Sequence, residues 1–219
     1  MPAAKKSSEP KPGVRQLAAQ ATREGILRAA IKVFAKQGYA GGRIEQISKA
    51  AKSYDRMIYY YFGSKEGLFI AALEEIYRRF NEAESELVLD ENEPLAALGK
   101  VIRFMWSYYL KHPEFITLLN TENLHRGKHI SKSPTARDYS SPAVGVMGRV
   151  LQRGTELGLF RPDLAARDVY LIVAGLCYFY LSNRFTLSAF LGEDLESPAA
   201  LQHWQATVLD TVLRVVKSE

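Results

Sequence analysis

The stretch that decides the fold is RIEQISKAAKSYDRMIYYYFGSKEGLF, residues 43–69. Ile44, Ile47 and Ala51 recur at helical spacing over about two turns, and residues 55–62 can form a second short helix after a three-residue turn. In a unit of this size the second helix can enter the major groove of DNA. The spacing therefore predicts a helix-turn-helix.

Helical spacing extends outward from this stretch in both directions. The further helices that we predict cover about residues 22–38, 64–80, 95–110, 114–124, 144–157, 163–191 and 198–216. Residues 82–93 are predicted to be an acidic connection and residues 126–142 an irregular one. No strand pattern and no internal repeat is visible. The predicted fold class is all-α, with a three-helix helix-turn-helix domain and a larger helical domain, about nine helices in total.

Positive charge is concentrated at the start of the chain. Residues 1–65 hold 13 Lys and Arg against 4 Asp and Glu, a net charge of +9, whereas the rest of the chain has a net charge of −4. A basic segment on a slightly acidic body is typical of a nucleic-acid-binding protein, although a solvated basic face has the same composition. We predict a disordered basic tail over residues 1–14, a DNA-binding domain over 15–64 and an effector-binding and dimerisation domain over 65–219.

Composition argues against several other classes. The longest apolar run, residues 169–181, has 13 residues, fewer than the about 18 that a membrane span needs. The first twenty residues lack the apolar segment of a secretory signal. A single cysteine, Cys177, is typical of a small buried hydrophobic residue and argues against a disulfide framework. We therefore expect a cytoplasmic protein with no membrane partner.

Three motifs carry a family resemblance: RIEQISKAA (43–51), IYYYF (58–62) and SKEGLF (64–69). Together they closely resemble the DNA-binding domain of the TetR family, over residues 22–69. Within the family, the RIEQI and YYF strings are most similar to the pyrimidine-utilisation regulators. The resemblance implies a transcriptional regulator, by default a dimeric repressor that a small-molecule effector releases from a palindromic double-stranded DNA operator.

The resemblance also assigns roles on the second short helix. It implies that Tyr59 and Tyr60 face the groove, that Tyr61 approaches the DNA backbone, and that Lys65 meets a phosphate at a helix N-terminus. A tyrosine offers a ring to thymine methyl groups and a hydroxyl to phosphate oxygen. Three consecutive helical positions spread over about 200°, so at least one of these tyrosines faces solvent or DNA.

The turn departs from the family pattern, because residues 52–54 are Lys-Ser-Tyr where Gly-Val-Ser is usual. If the turn keeps its left-handed residue, Lys52 adopts it at a cost of about 1 kcal/mol relative to glycine. Ser53 or Asp55 can replace the usual N-cap and move the helix start by one residue. Arg43 stands where threonine is common and can donate to phosphate. The predicted DNA-binding residues are Arg43, Lys52, Ser53, Tyr54, Arg56, Met57, Tyr59, Tyr60, Tyr61 and Lys65, and we expect Lys52, Tyr54, Arg56 and Met57 to determine specificity.

The last two predicted helices carry wide apolar stripes. In the last helix the stripe consists of Leu201, Trp204, Val208, Thr211, Val212 and Val215. The resemblance implies that these two helices form the interface of a homodimer. A dimer also sets its two recognition helices roughly 34–36 Å apart, the spacing that adjacent major grooves of DNA require. The alternative is that both are only core helices within one chain.

The larger domain is also expected to bind an effector among its central helices. The candidate residues are Trp106, Tyr109, Phe115, Glu122, Asn123, Tyr178 and Asn183. Glu122 and Asn123 are favoured over the aromatic residues, because a polar side chain in an otherwise apolar helix needs solvent or a polar partner. By the resemblance, an effector moves the helix of residues 64–80 and so changes the separation of the recognition helices.

Two other classes of protein, a metal-dependent enzyme and a helical adaptor, each explain part of the sequence. Glu122, His125 and His129 lie at i, i+3 and i+7, which on a continuous helix suits a metal-dependent enzyme, but Gly127 argues against such a helix. No phosphate-binding glycine loop, nucleophile elbow or HExxH motif is present, so we expect neither an enzyme nor a cofactor. A helical adaptor explains the apolar stripes but not the basic segment with its three tyrosines.

Overall fold

The computed structural model describes residues 13–90, 92–136 and 141–218, and it is all-α as predicted. The helices are α1 (Val14–Gly41), α2 (Ile44–Ala50), α3 (Asp55–Phe62), α4 (Lys65–Ser85), α5 (Pro94–Lys111), α6 (Pro113–Leu124), α7 (Ser141–Glu156), α8 (Ala166–Leu191) and α9 (Pro198–Val216). A short 3-10 helix covers Ile130–Lys132. Within the described residues there is no strand, and a single isolated bridge pairs Phe160 with Lys217.

The first three helices pack around Phe34, which is fully buried and meets the ring of Phe69 edge-on at 5.1 Å between centroids. Gly42 lets this ring come close, because a Cβ there would lie 2.5 Å from Phe34 Cδ1. Ile47 of α2 and Ile58 of α3 are also fully buried. These apolar anchors fix one face of α3 to the core and leave its other face outward.

Several predicted helix boundaries are confirmed. Ser64 caps α4, because its Oγ accepts from Gly67 N at 2.9 Å, and Ser197 caps α9 in the same way from Ala200 N. The Ser-Pro start of α9 and the break between α5 and α6 at His112 lie where the sequence puts them. Gly38 interrupts α1 with a φ of 69°, and a further helical turn then runs to Gly41.

Other boundaries were wrong. Helix α1 begins at Val14, eight residues before the predicted start. The predicted disordered tail falls almost entirely on residues 1–12, which lie outside the described part of the chain. Helix α4 runs to Ser85 and not to residue 80, because the buried stripe of Ile76 and Phe80 continues to Glu84. The acidic connection is correspondingly shorter.

The larger domain is a bundle in which α5 packs against α7, α8 and α9. Helix α6 packs along α1, and α4 contacts both α1 and α3, so α4 belongs to both parts of the molecule. Cys177 is buried and its thiol is free, and burial raises the pKa of that thiol to about 12, as expected for a packing residue. None of the described helices combines the length and apolar character that crossing a membrane requires.

Candidate DNA interface and effector cavities

Helix α3 and the residue before it present three large aromatic side chains to solvent. Tyr54, Tyr59 and Tyr60 are 71%, 52% and 76% exposed, whereas Ile58 is fully buried. Successive residues of a helix are about 100° apart, so burying Ile58 turns the next two side chains outward. Tyr61 is half-buried, and its ring meets that of Tyr60 at 4.9 Å. We call Tyr54, Tyr59 and Tyr60 the aromatic face.

The turn before α3 keeps a left-handed residue, and this residue is Lys52, the position that the sequence predicts for that case. Lys52 has a φ of 50°, one of two positive values among the described non-glycine residues. The bond from Ser53 N to Ser48 O, at 2.9 Å, closes the turn over α2. A lysine in this conformation carries a local strain that the surrounding turn imposes.

Lys52→Gly is therefore expected to raise the free energy of unfolding by up to about 1 kcal/mol, because glycine adopts this φ without a Cβ clash. Urea unfolding followed by circular dichroism measures the difference. Lys49→Gly is the matched control, since it places glycine inside α2 and should destabilise by about 1 kcal/mol. A loss of stability in Lys52→Gly would contradict the expectation.

The N-cap of α3 is Tyr54, and its side chain makes no capping bond. The prediction that Ser53 or Asp55 is the N-cap was wrong. Asp55 lies in the first turn of α3, where its Oδ1 accepts a hydrogen bond from Ser48 Oγ of α2. The carboxylate thus joins the two short helices, and this bond holds the angle between them.

Basic side chains surround the aromatic face. Arg43 is exposed at the N-terminus of α2, and the Arg56 guanidinium lies over the Tyr54 ring, 5.4 Å from its centroid. Met57 is half-buried beside them. Sequence reasoning missed Lys49, which with Ser48, Ser53, Tyr54, Asp55 and Arg56 lines an open groove between α2 and α3. The sequence signal that could have identified Lys49 is its position at the end of the first short helix, close to the turn.

Lys65 takes a different position from the other basic residues. Its Nζ donates to Ala40 O at 3.2 Å and lies 5.0 Å from the centroid of the Tyr39 ring. Burial lowers the pKa of this ammonium group. A phosphate contact by Lys65 remains a prediction, and it requires the ammonium group to turn away from Ala40.

The first three helices meet the larger domain through a cluster of rings, in which Phe69 and His129 are buried and Tyr39 and His125 half-buried. His129 lies 4.4 Å from the Tyr39 ring and 5.0 Å from the Phe69 ring between centroids, and His125 lies 5.1 Å from His129. Glu122 completes this junction cluster, which consists of Tyr39, Phe69, Glu122, His125 and His129. The cluster ties the end of α1 and the start of α4 to α6.

The Glu122 carboxylate serves this junction. Its Oε1 accepts from His129 N at 2.7 Å and Ile130 N at 2.9 Å, and its Oε2 accepts from His129 Nδ1 at 2.7 Å. Glu122 and His129 are both buried. No metal-binding group of three or more His, Cys, Asp or Glu residues is found among the described residues. An effector contact by Glu122 stays a prediction. It would have to replace hydrogen bonds that the carboxylate already accepts within the chain.

The other effector candidates are spread over several environments. Trp106 packs on Tyr180, and Tyr109 stacks on Phe115 at 5.3 Å between centroids, so all four rings belong to the core. Tyr178 donates its hydroxyl proton to Asn120 Oδ1. Sequence reasoning missed Asn120, whose Nδ2 also donates to Ser182 Oγ at 3.0 Å.

The two remaining candidates are amides near the surface. Asn123 is exposed, and Asn183 Nδ2 donates to Phe179 O of its own helix at 2.8 Å. The structure therefore does not bring the seven candidates together around a common space, and their role in effector binding stays a prediction.

Two cavities lie against the buried face of α4. The first, of about 310 Å³, lies at the C-terminal end of the helix and is lined by Glu84, Ser85, Leu87, Leu89, Asp90, Pro94, Ala97, Val146, Arg149, Val150 and Arg153. The second, of about 390 Å³, is lined by Tyr77, Phe80, Asn81, Phe115, Ile130, Ala136, Val144, Arg167, Tyr170 and Leu171. Of the seven candidates only Phe115 is among these lining residues.

Glu84 has an unusual environment for a carboxylate. The residue is 1% exposed, and neither carboxylate oxygen has a hydrogen-bond partner among the described residues. Burial raises the pKa of this group to about 7. Sequence reasoning missed Glu84, because the predicted helix ended before it; the signal was its position seven residues after Tyr77 on one helical stripe.

Stability is expected to fall as the pH rises from about 5 to about 8, by up to about 3 kcal/mol from Glu84. The folded chain holds the Glu84 proton up to a pKa of about 7, whereas the unfolded chain releases it near 4.5. Between these values the folded state binds more protons, so each increase in pH favours unfolding. Urea unfolding at several pH values measures the slope, and Glu84→Gln should flatten it. An unchanged slope in Glu84→Gln would rule out this origin.

A short helix with an outward aromatic face, on a basic three-helix unit joined to a helical body, defines the class of helix-turn-helix DNA-binding regulators. Comparison with known proteins identifies the family. Residues 26–72 match the family described as "Bacterial regulatory proteins, tetR family", and residues 94–212 match "Tetracyclin repressor-like, C-terminal domain". The chain belongs to the TetR family.

Individual proteins agree with this assignment. The HTH-type transcriptional repressor NicS of Pseudomonas putida is 54% identical over 204 residues, which cover 93% of this chain and 96% of NicS. The HTH-type transcriptional regulator RutR of Escherichia coli is 34% identical over 112 residues, which cover 51% of this chain and 52% of RutR. A solved structure, the regulator SCO4942 of Streptomyces coelicolor, has a TM-score of 0.64 at 21% identity and covers 89% of this chain and 98% of its own, so it supports the fold.

The chain is thus a DNA-binding transcriptional repressor. Neither the metal-dependent enzyme nor the adaptor considered from the sequence fits a family of transcriptional regulators.

Proposed function

We propose that this repressor binds a palindromic operator as a homodimer in the cytoplasm and that a small-molecule effector releases it. Residues 15–64 form the DNA-binding domain, and residues 65–219 form the domain for dimerisation and effector binding. The observation that carries the proposal is the aromatic face, because three large rings stand in solvent on a short helix anchored by the buried Ile58. Exposed aromatic groups on a unit of positive charge suit the grooves and backbone of DNA.

The contacts divide by side-chain chemistry. We assign base contacts to Tyr54, Arg56, Met57, Tyr59 and Tyr60, since these side chains lie on or beside the outward side of α3. We assign phosphate contacts to the hydrogen-bond donors that flank this side, namely Arg43, Lys49, Lys52, Ser53, Tyr61 and Lys65. Lys49 is an addition to the residues predicted from the sequence.

The dimer is assigned to α8 and α9. Helix α8 exposes several large apolar side chains, namely Leu171, Phe179, Phe185, Phe190 and Leu191. Part of the α9 stripe is used within the chain, since Val208 and Val212 are buried and Trp204 Nε1 donates to Leu176 O at 3.1 Å. A second copy of the chain that covers the outer side of both helices removes this apolar surface from water.

Helix α4 offers a path from an effector to the operator. Its first turn packs against α3, and its buried face reaches both cavities through Tyr77 and Glu84. A ligand that displaces the C-terminal half of α4 therefore also shifts the position of α3. In a dimer, that shift changes the distance between the two recognition helices and weakens operator binding.

Tyr59→Ala is expected to weaken operator binding by about tenfold or more, because it removes a ring and a hydroxyl from the aromatic face. Operators are first selected from genomic fragments by the purified protein, and the variant is then titrated against the selected duplex by fluorescence anisotropy. Light scattering should show the same oligomeric state as for the wild type. Val88→Ala truncates another exposed apolar residue, which lies outside the DNA-binding unit, and should leave affinity unchanged. Wild-type affinity in Tyr59→Ala would refute the assignment.

A further inference from the structure

The wall of the first cavity includes a buried polar side chain without a hydrogen-bond partner among the described residues. Glu84 lines it, is 1% exposed, and has no hydrogen bond from any described residue to either carboxylate oxygen. Leaving a buried carboxylate without donors is costly unless it is protonated or meets a donor or a cation. Glu122, the other buried glutamate among the described residues, shows the contrast, since its carboxylate accepts three hydrogen bonds from within the chain.

The basic residues of the same cavity do not meet this need. Arg153 Nη1 pairs with Glu156 Oε2 at 3.2 Å, and Arg149 is exposed. Burial is the single cause of the raised pKa of Glu84, and no nearby cation lowers it. Within the described part of the chain, no basic residue therefore balances the charge of an ionised Glu84.

Aromatic side chains lie near this carboxylate. The pKa of Tyr170 is raised to about 12, first by burial and then by the negative charge of Glu84, and the pKa of Tyr109 is raised well above its usual value by burial, with the charge of Glu84 a smaller contribution. Both hydroxyl groups thus stay neutral near neutral pH. Neither ring lines the first cavity, so an ionised Glu84 attracts a cation there through its charge alone.

We propose that Glu84 is the charge-recognising residue of the effector site, and that the effector is a small organic cation carrying an ammonium or amidinium group on an apolar body. The inference rests on the proposed function, because it names the chemical class of the effector. A volume of about 310 Å³ suits a body of about one ring. Because Glu84 lies on α4, an ion pair formed there acts on the helix that contacts α3.

Simple probes test the class. The full chain is mixed with benzylammonium or benzamidinium, with benzyl alcohol as the neutral counterpart and benzoate as the anionic one. The measurements are thermal shift and calorimetric titration at about pH 8, where Glu84 is ionised. Glu84→Gln keeps the size of the side chain and removes its charge. Glu86→Gln removes an exposed carboxylate two residues away and is the matched control.

The expected result is that a cationic probe binds the wild type and Glu86→Gln equally, and binds Glu84→Gln about 10- to 100-fold more weakly. Benzyl alcohol and benzoate should show no dependence on Glu84. The inference is overturned if neither cation binds the wild type, or if Glu84→Gln binds them with unchanged affinity.

Operator titrations of the same samples separate this inference from the proposed function. If benzoate or benzyl alcohol stabilises the protein and weakens operator binding while the cations do neither, effector release stands and the cationic class is wrong. If a cation binds through Glu84 and operator affinity does not change, the site stands, and effector release by these cations is wrong.

Discussion

Glu122→Ala is expected to lower the free energy of unfolding by about 3–5 kcal/mol, because it leaves buried donors without an acceptor. The donors are His129 N, Ile130 N and His129 Nδ1, at 2.7, 2.9 and 2.7 Å from the carboxylate oxygens. Urea unfolding at about pH 7 measures the loss. Since the junction cluster ties α6 to the end of α1 and the start of α4, we also expect weaker coupling between effector and operator.

A matched control lies on the same helix. Glu114 pairs with His112 at 3.3 Å, but their side chains are 30% and 42% exposed, so Glu114→Ala should cost less than about 1 kcal/mol. Both variants remove a Glu–His contact, but the Glu122 contact is buried and its carboxylate also accepts from two backbone N–H groups. An equally small loss in Glu122→Ala would show that the junction cluster contributes little to stability.

Gly67→Ala is expected to cost about 2–4 kcal/mol of stability and to weaken operator binding. A Cβ at this position would lie 2.2 Å from the Phe62 carbonyl oxygen, the last residue of α3. That atom belongs to the backbone, so relief of the clash must displace the end of α3 relative to α4. Thermal unfolding and operator titration measure the two effects.

Gly25→Ala provides the comparison for this substitution. Gly25 lies within α1, where a new Cβ would lie 4.0 Å from Arg28 Nη2, at ordinary van der Waals distance. Alanine there should stabilise the protein by about 0.5–1 kcal/mol, because it favours the helix without a clash. If Gly67→Ala behaved like Gly25→Ala, the close contact between α3 and α4 would be absent from the folded protein.

Local patterns predicted the helix-turn-helix well. The spacing of Ile44, Ile47 and Ile58 determines which faces are buried, and the three-residue turn fits a left-handed Lys52. The N-cap was not predictable in the same way. The side chain of Asp55 is chemically suited to capping a helix. In the fold it instead accepts a hydrogen bond from Ser48 of the preceding helix. The sequence alone does not show which of these two hydrogen bonds an aspartate makes.

The larger domain was predictable in its helices and much less so in its cavities. Residues 82–93 contain many carboxylates and resemble a linker, yet the first turn of this segment continues α4, because Phe80 and Glu84 are buried there. Aromatic residues such as Trp106 and Tyr109 show the same helical spacing whether they fill the core or line a cavity. Only the packing of neighbouring helices separates these cases.

The junction cluster shows a related limit. The spacing of Glu122, His125 and His129 suggested one face of a continuous helix and hence a possible metal site. In the structure α6 ends at Leu124, and Arg126 and Gly127, with φ values of 57° and 72°, turn the chain back. This turn brings His129 Nδ1 within 2.7 Å of the Glu122 carboxylate, so the two side chains form a buried hydrogen bond.

The central claim, that this chain reads a palindromic operator as a dimer, is tested most directly by one competition titration. The operator selected from genomic DNA and a shuffled duplex of the same length and composition compete for the protein at about 0.15 M salt. We expect the operator to bind at least about 10³-fold more tightly, with two chains on each duplex. Equal affinity for the two duplexes, or binding of one chain to each operator, would contradict the account.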